Sequence, residues 1–381
     1  MSAAVALRER VRARAAALGF VRVGFTDATP LHDARGRLEA WLAAGRQGDL
    51  AYLATGDDRA DPRALLATAR TVVSVALPYA GRPVALRRSA GGPPLVGIVA
   101  RYAVGADYHR VLKDKLELLR AGLAEELGSP VAARACVDSA PLLERAAAER
   151  AGVGFIGKST MLIAPGLGTY FLLGELLLDV ELPPDATPVA SGCGRCTACL
   201  DACPTGAFVG PYELDASRCV SYLTIENPGP IPRPLRPLVG TRVLGCDVCQ
   251  DVCPFNASSS PRPAAPELSP RPELDVPRLL DWLALGAASY RKLVRRSALR
   301  RLGKAQLQRN AAVALGNAGD PAAVPALVRT LEADPSPLVR EHAAWALGRL
   351  GGEDARRALV AAVERDADAA VREEARLSLG G

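Results

Sequence analysis

The sequence predicts an α+β protein in three consecutive parts, and three observations carry that expectation. Residues 1–185 mix strand-like and helix-like apolar patterns, residues 186–260 hold eight of the nine cysteines, and residues 275–381 repeat at a fixed period. At 381 residues the chain exceeds a comfortable single domain. Its apolar share of 49% is ordinary for a globular protein and excludes wholesale disorder.

In the first part, the Arg-studded stretch Val5–Leu18 lacks the unbroken apolar core of an export signal and reads as a helix. It runs into Phe20–Phe25, a strand by composition. Thr71–Leu77 is a β-branched run stopped by Pro78, the pattern of a buried strand. From Asp107 to Leu127 apolar residues recur at helical spacing (Val111, Leu112, Leu116, Leu119, Leu123) and end at Gly128. Leu142–Arg150 is a second helix, while Tyr170–Leu178 fits strand or helix by periodicity alone. Met161–Val180, the most apolar segment, is broken by Pro165, Gly166, Gly168, Gly174 and Glu175, which makes it core and not a membrane span. The alternation of element types is that of an α+β or α/β domain.

Proline-rich stretches at Pro228–Pro237 and Pro261–Pro272 read as connectors. Beyond them, Asn310–Gly319 recurs as His342–Gly351 and Val339–Ala343 recurs as Val371–Ala375, both at a period of 32. Paired helices with small residues at the contacts resemble a short HEAT-like solenoid, with too few copies to stand alone. The net charge of +6 is unevenly spread, since between Arg291 and Arg309 lie eight basic residues and no acidic one. Such a run either attracts phosphates or solvates a helix face.

The cysteines carry the strongest signal. With no export pattern, they point to metal ligands in a cytoplasmic protein and away from disulfides. Cys193-x2-Cys196-x2-Cys199-x3-Cys203-Pro204 is the full spacing of a bacterial ferredoxin run. Three close thiolates take three irons of one cube, and the fourth cysteine is carried to the other cube. The second run, Cys246-x2-Cys249-x3-Cys253-Pro254, lacks its first cysteine, whose place Val243 takes; Cys219 is the replacement. One [4Fe–4S] cluster is therefore expected on Cys193, Cys196, Cys199 and Cys253. The other is expected on Cys203, Cys219, Cys246 and Cys249. Zinc is the competing occupant, but it has no need of two CxxxCP crossings. Cys136 stands alone in an apolar setting and reads as inert packing.

Iron–sulfur cubes move electrons, so residues elsewhere must do the chemistry. No GxGxxG lies between a strand and a helix, and Gly152-x4-Gly157-Lys158-Ser159 matches a nucleotide loop only formally, because a helix precedes it. Asp107-Tyr108-His109 begins like a corrinoid DxHxxG loop, but Leu112 stands where the glycine belongs. Asp138, ahead of Ser139 and Pro141, is either a helix N-cap or a functional carboxyl.

Arg59–Pro62, Ser74–Tyr79, Arg101–His109, Val137–Arg145, Gly157–Thr160 and Leu173–Leu176, together with both cysteine runs, resemble the epoxyqueuosine reductases. The resemblance covers roughly residues 5 to 260, and a HEAT-like tail is common in that family. It implies a nitroreductase-like N-terminal domain and a base-off cobalamin held between that domain and the ferredoxin-like module. It also implies two-electron reduction of epoxyqueuosine to queuosine in a tRNA anticodon stem-loop. Electrons would come from an external donor such as a flavodoxin or ferredoxin, and the protein would work as a monomer without a membrane. By the same resemblance Asp138 is the proton donor, kept protonated near an apolar corrin. Arg59, Tyr108, His109, Lys158, Ser159, Thr160 and Ser221, with the Cys246–Asp247 backbone, would lie near cobalamin or substrate. The alternatives are a reductive dehalogenase-like corrinoid enzyme and a plain ferredoxin-type electron carrier.

Overall fold

The structure is a computed structural model that describes residues 2–56, 58–79, 95–185, 187–257 and 264–380. Residue 186, at the first expected domain boundary, and 258–263, across the end of the cysteine region and the start of the second connector, lie outside the described residues. Two compact units are built from alternating segments. One contains Met1–Ala80, Ala106–Ala216 and Val248–Ser269; the other contains Gly81–Gly105, Ser217–Asp247 and Pro270–Gly381. The units therefore interleave along the chain, whereas the sequence reading cuts it consecutively.

The first unit is organised by a four-stranded antiparallel sheet of β1 (Arg22–Asp27), β2 (Thr71–Pro78), β3 (Ala133–Cys136) and β4 (Phe171–Leu178), in the order β1-β2-β4-β3. Every residue of β2 is buried, as its unbroken apolar run requires of a central strand. Tyr170–Leu178, ambiguous by periodicity, resolves into strand because it lies between β2 and β3. Helix α1 (Ala3–Ala17) buries Leu7, Val11 and Ala15 and is capped by the Ser2 hydroxyl, which accepts from the Val5 amide at 3.3 Å. Helix α2 (Tyr108–Leu127) begins at Asp107 and stops at Gly128, whose φ of 63° is the left-handed stop glycine tolerates.

The two sheet faces bury different partners. Leu112 and Leu116 of α2 sit over Gly174 on one face. On the other, Ala147 and Ala148 of α3 (Glu144–Arg150) and the following Ala151 pack on the side that carries Val72, Ala76, Cys136 and Leu177. The approach is close: a Cβ at Gly24 would stand 2.1 Å from the Ala151 carbonyl oxygen. The sheet thus fixes where α2 and α3 begin, and both beginnings belong to the candidate site.

The second unit contains the helical repeats: α4 (Lys304–Ala318), α5 (Val324–Ala333), α6 (Pro337–Leu350), α7 (Glu353–Arg365) and α8 (Ala369–Leu379). The period of 32 appears as a repeated contact. A Cβ at Gly316 would lie 2.9 Å from the Ala346 Cα, and one at Gly348 would lie 2.6 Å from the Ser378 Cβ. The same period aligns three buried polar residues, Asn310, His342 and Glu374, and each grips the segment between Cys219 and Cys246. Asn310 donates to the carbonyls of Thr224 and Val243 at 2.8 and 2.9 Å. His342 accepts from the Ile231 amide at 3.1 Å, and Glu374 pairs with Arg233 and Arg236 at 3.1 and 2.9 Å. Burial and the nearby Arg236 and Arg309 hold His342 well below its usual range, so it stays neutral, accepting on Nε2 and donating from Nδ1 to the Leu338 carbonyl.

Arg309, 0% exposed, completes the clamp. Its guanidinium donates to the carbonyls of Leu223 and Asn227 at 2.8 and 2.9 Å and to that of Gly229. This corrects the reading of the basic run, which ends short of Arg309: that side chain is core. Truncation strands several buried carbonyls, so Arg309→Leu should destabilise the protein by about 3 kcal/mol or more. The drop in the denaturant midpoint measures this; an unchanged midpoint would show that the clamp contributes nothing.

Candidate functional site

The start of α2 and the turn after β3 bring together the polar residues of the first unit. Asp107 caps α2, its carboxylate accepting from the His109 amide at 3.2 Å and lying 2.7 Å from His109 Nδ1. The other ring nitrogen, Nε2, lies 2.6 Å from Asp138 Oδ1. Tyr108 donates its hydroxyl to Asp138 Oδ2, and its ring stacks on that of His109 with centroids 4.0 Å apart. Asp138 keeps about a third of its side chain exposed (33%), so it is backed by these two donors and still reaches solvent.

This arrangement decides between the two readings of Asp138. It lies in a turn well before α3, whose N-cap is Leu143, so it is not a helix cap. Burial works against charge on His109, but its hydrogen bonds to Asp107 and Asp138 and the charges of both outweigh this and raise it to about 9. Asp107 is held below the usual carboxylate range, chiefly by its hydrogen bond to His109. At neutral pH His109 therefore carries its second proton, held against Asp138.

Two further carboxyls lie behind Asp138, and sequence reasoning passed over both. Glu144 opens α3; burial and the Asp138 charge lift it to about 7, against the pull of Arg145 and His109. Glu175, in the middle of β4, is 0% exposed and raised well above the usual range by burial, with Glu144 adding to the effect. A lone acid inside the apolar run Phe171–Leu178 was the available signal, but it served to argue against a membrane span and to carry the resemblance, with no role of its own. Cys136, expected to be inert, is buried, and its thiol is pushed up to about 12, first by burial.

The cysteine region of the first unit surrounds a cavity of about 420 Å³ lined by Cys193, Cys196, Cys199, Cys253, Lys158 and Phe255, among others. These are the four cysteines expected on one cluster. Burial and the neighbouring Cys193 and Cys196 raise the Cys199 and Cys253 thiols, a cost that bound iron removes. Among the described residues no three His, Cys, Asp or Glu side chains converge to hold a single metal ion. Lys158 donates to the carbonyls of Gly194 and Cys196 at 2.7 and 3.0 Å, and Ser159 also lines the cavity, so this stretch braces the first cysteine loop. Thr160, at a φ of 62°, offers its carbonyl to Arg145 at 2.5 Å.

The other expected residues divide between the units. Cys203 accepts from the Ala207 amide at 3.3 Å, and Cys249 lies on the short helix Val248–Asp251, both in the first unit. Arg59, also there, donates to the Tyr52 carbonyl at 2.8 Å and covers the Tyr52 ring. Cys219, Ser221, Cys246 and Asp247 lie in the second. There the Thr224 hydroxyl links the two cysteine loops, donating to the Val220 carbonyl at 2.7 Å and accepting from the Gly245 amide at 2.9 Å. The Asp247 carboxylate accepts from the Arg101 amide at 2.8 Å. Of the basic run, Arg291, Lys292, Arg295, Arg296, Arg300 and Arg301 are exposed, with Arg301 3.5 Å from Glu226.

The sign of the His109 shift gives a pH dependence. A pKa raised above the unfolded value supplies stability fully present below about pH 6.5 and lost as pH climbs through about 9. The melting temperature should fall over that window, and His109→Gln should remove that part of the fall. An identical pH profile in the variant would show that His109 is not paired as described.

Three family descriptions match the chain: "Epoxyqueuosine reductase QueG, DUF1730" over residues 59–139, "4Fe-4S double cluster binding domain" over 192–256 and "HEAT repeats" over 295–380. The epoxyqueuosine reductase of Pseudomonas aeruginosa is 43% identical over 328 residues, covering 85% of this chain and 89% of that protein. That of Escherichia coli is also 43% identical, over 82% of this chain and 81% of its own. A crystal structure of epoxyqueuosine reductase with an epoxyqueuosine-modified tRNA-Tyr stem loop superposes with a TM-score of 0.90 at 34% identity, covering 99% of both chains. The Streptococcus thermophilus epoxyqueuosine reductase gives 0.86 at 30% identity, over 98% of both. With a mixed α/β fold, a double [4Fe–4S] cluster domain and helical repeats in common, the chain belongs to the epoxyqueuosine reductase family of oxidoreductases.

Proposed function

We propose that this enzyme reduces epoxyqueuosine to queuosine in the anticodon loop of a tRNA, with Asp138 delivering the proton. One observation carries the reading: Tyr108 and His109 converge on Asp138, whose side chain stays one-third exposed. Breaking a C–O bond of the epoxide under reduction leaves an alkoxide, which needs a proton at once. A proton held by His109 against Asp138 is available at neutral pH and can be handed over through the Asp138 carboxyl, whose side chain is one-third exposed. Tyr108 and Asp107 fix the two partners, so little rearrangement precedes transfer.

The four cysteines around one cavity suit a [4Fe–4S] cube, and the tally of eight ligands supports a second on Cys203, Cys219, Cys246 and Cys249. A cobalamin is the cofactor we assign between clusters and substrate. Its fit rests on Arg59, whose Nε is buried without an acceptor and suits a corrinoid amide or phosphate oxygen. Tyr108, His109, Ser159, Thr160, Ser221 and the Cys246–Asp247 backbone would line it, while the Lys158 ammonium is spent on the cysteine loop. When bound, the cobalt would supply low-valent states that pass electrons to the substrate. The exposed arginines 295, 296, 300 and 301 would grip tRNA phosphates, which carry no sequence information, so selectivity falls to the modified base. A flavodoxin or ferredoxin would supply the electrons to a monomeric, cytoplasmic enzyme.

Mass analysis of queuosine in an epoxyqueuosine stem-loop, after incubation with reduced enzyme and cobalamin, tests the reaction. Asp138→Asn should lower turnover on the order of a hundredfold with melting temperature and iron content unchanged. Loss of activity only in proportion to stability would refute the donor role. For the metal, Cys219→Ala should lower the iron content by about one four-iron cube while leaving the Cys193 cluster. Unchanged iron would remove Cys219 from the ligand set.

A further inference from the structure

The reaction consumes more protons than the Asp138 pair holds. Removing the epoxide oxygen breaks two C–O bonds, forms C=C, takes two electrons from the external one-electron donor protein and two protons, and releases water. The His109–Asp138 pair accounts for one of those protons, and nothing yet described accounts for the second.

Behind the pair stands an acid placed where a purely structural residue would be a liability. Glu175 lies in the central strand β4, directly opposite Ser74 of β2 and Cys136 of β3. Side chains opposite one another in an antiparallel sheet share a face, and this is the face covered by α3. Both Glu175 carboxyl oxygens and the Ser74 hydroxyl are wholly buried with no hydrogen-bond partner. An ionised carboxylate there would be very costly, so the group is held as the neutral acid. The location is close to the chemistry. Cys136 is the cross-strand neighbour of Glu175, and Asp138 follows two residues later, within about 7 Å of chain. Glu144 opens the helix packed on that face; the Asp138 charge raises it, and its own charge in turn raises Glu175.

We propose that Glu175 and Glu144 hold a proton in reserve behind Asp138 and reload the His109–Asp138 pair for the second protonation of each turnover. They are positioning residues acting through Asp138, and the inference rests on the donor role proposed above. After the first proton leaves, Asp138 is a carboxylate facing a neutral histidine. The reserve proton moves toward it, the second transfer frees the oxygen as water, and solvent recharges the reserve through the partly exposed Asp138 before the next cycle.

The test uses the full-length, iron-loaded enzyme with an epoxyqueuosine anticodon stem-loop. Glu175→Gln keeps shape and hydrogen-bonding capacity but carries no acidic proton. It should lower kcat on the order of tenfold, leave KM and iron content unchanged, increase the solvent deuterium isotope effect on kcat, and leave melting temperature unchanged or raised. Glu144→Gln should give the same kinetic pattern. Parent-like kcat and isotope effect in both variants would overturn the reserve, as would a kcat that falls only in step with melting temperature. Asp138→Asn assayed alongside separates the two ideas. Full activity there refutes the donor role and the reserve with it, whereas an inactive Asp138→Asn beside a parent-like Glu175→Gln refutes the reserve alone.

Discussion

A charged or polar group removed from water must either find partners or give up its charge, and this constraint shapes both units. Arg309 and Glu175 are each 0% exposed and meet it in opposite ways. Arg309 is drawn by burial and by Arg236 down to about 10, which leaves it cationic at neutral pH, and it spends that charge on backbone carbonyls between Leu223 and Gly229. Glu175 meets no donor at all and keeps its proton. The first solution yields a rigid clamp; the second yields an acid that survives at neutral pH.

The clamp gives the repeats a purpose beyond length. Asn310, His342 and Glu374 occupy the same place in successive repeats and bind successive parts of one segment, whose ends carry Cys219 and Cys246. A solenoid of so few repeats has little core of its own, and this polar face is what it packs against. Thr224, bonded to Val220 and Gly245, then sets one cysteine loop relative to the other. An iron–sulfur cube needs thiolates fixed in advance, and buried hydrogen bonds to backbone fix loops more tightly than surface contacts do.

The first unit applies the same economy around Asp138. Asp107 serves as both helix cap and histidine partner, so the residue that starts α2 also fixes the imidazole. The result is a hydrogen-bonded cluster of two acids, a histidine and a tyrosine, each held by an element that the sheet positions.

Periodicity and spacing by themselves determined the elements and the metal chemistry. Buried strands and amphipathic helices are local patterns, the cysteine intervals are dictated by the size of a cube, and a 32-residue repeat needs no partner to be seen. The strand at Thr71–Pro78, the helix at Tyr108–Leu127 and the helical tail were legible for that reason. Tyr170–Leu178 was not, because a short apolar run becomes strand only when neighbours hydrogen-bond to it. Only tertiary structure put Glu175 across from Cys136, turned Asp138 from a possible cap into the partner of His109, and took Arg309 out of a surface patch. Proton affinity and burial depend on what lies across the sheet or the next helix, and linear sequence carries no record of that distance.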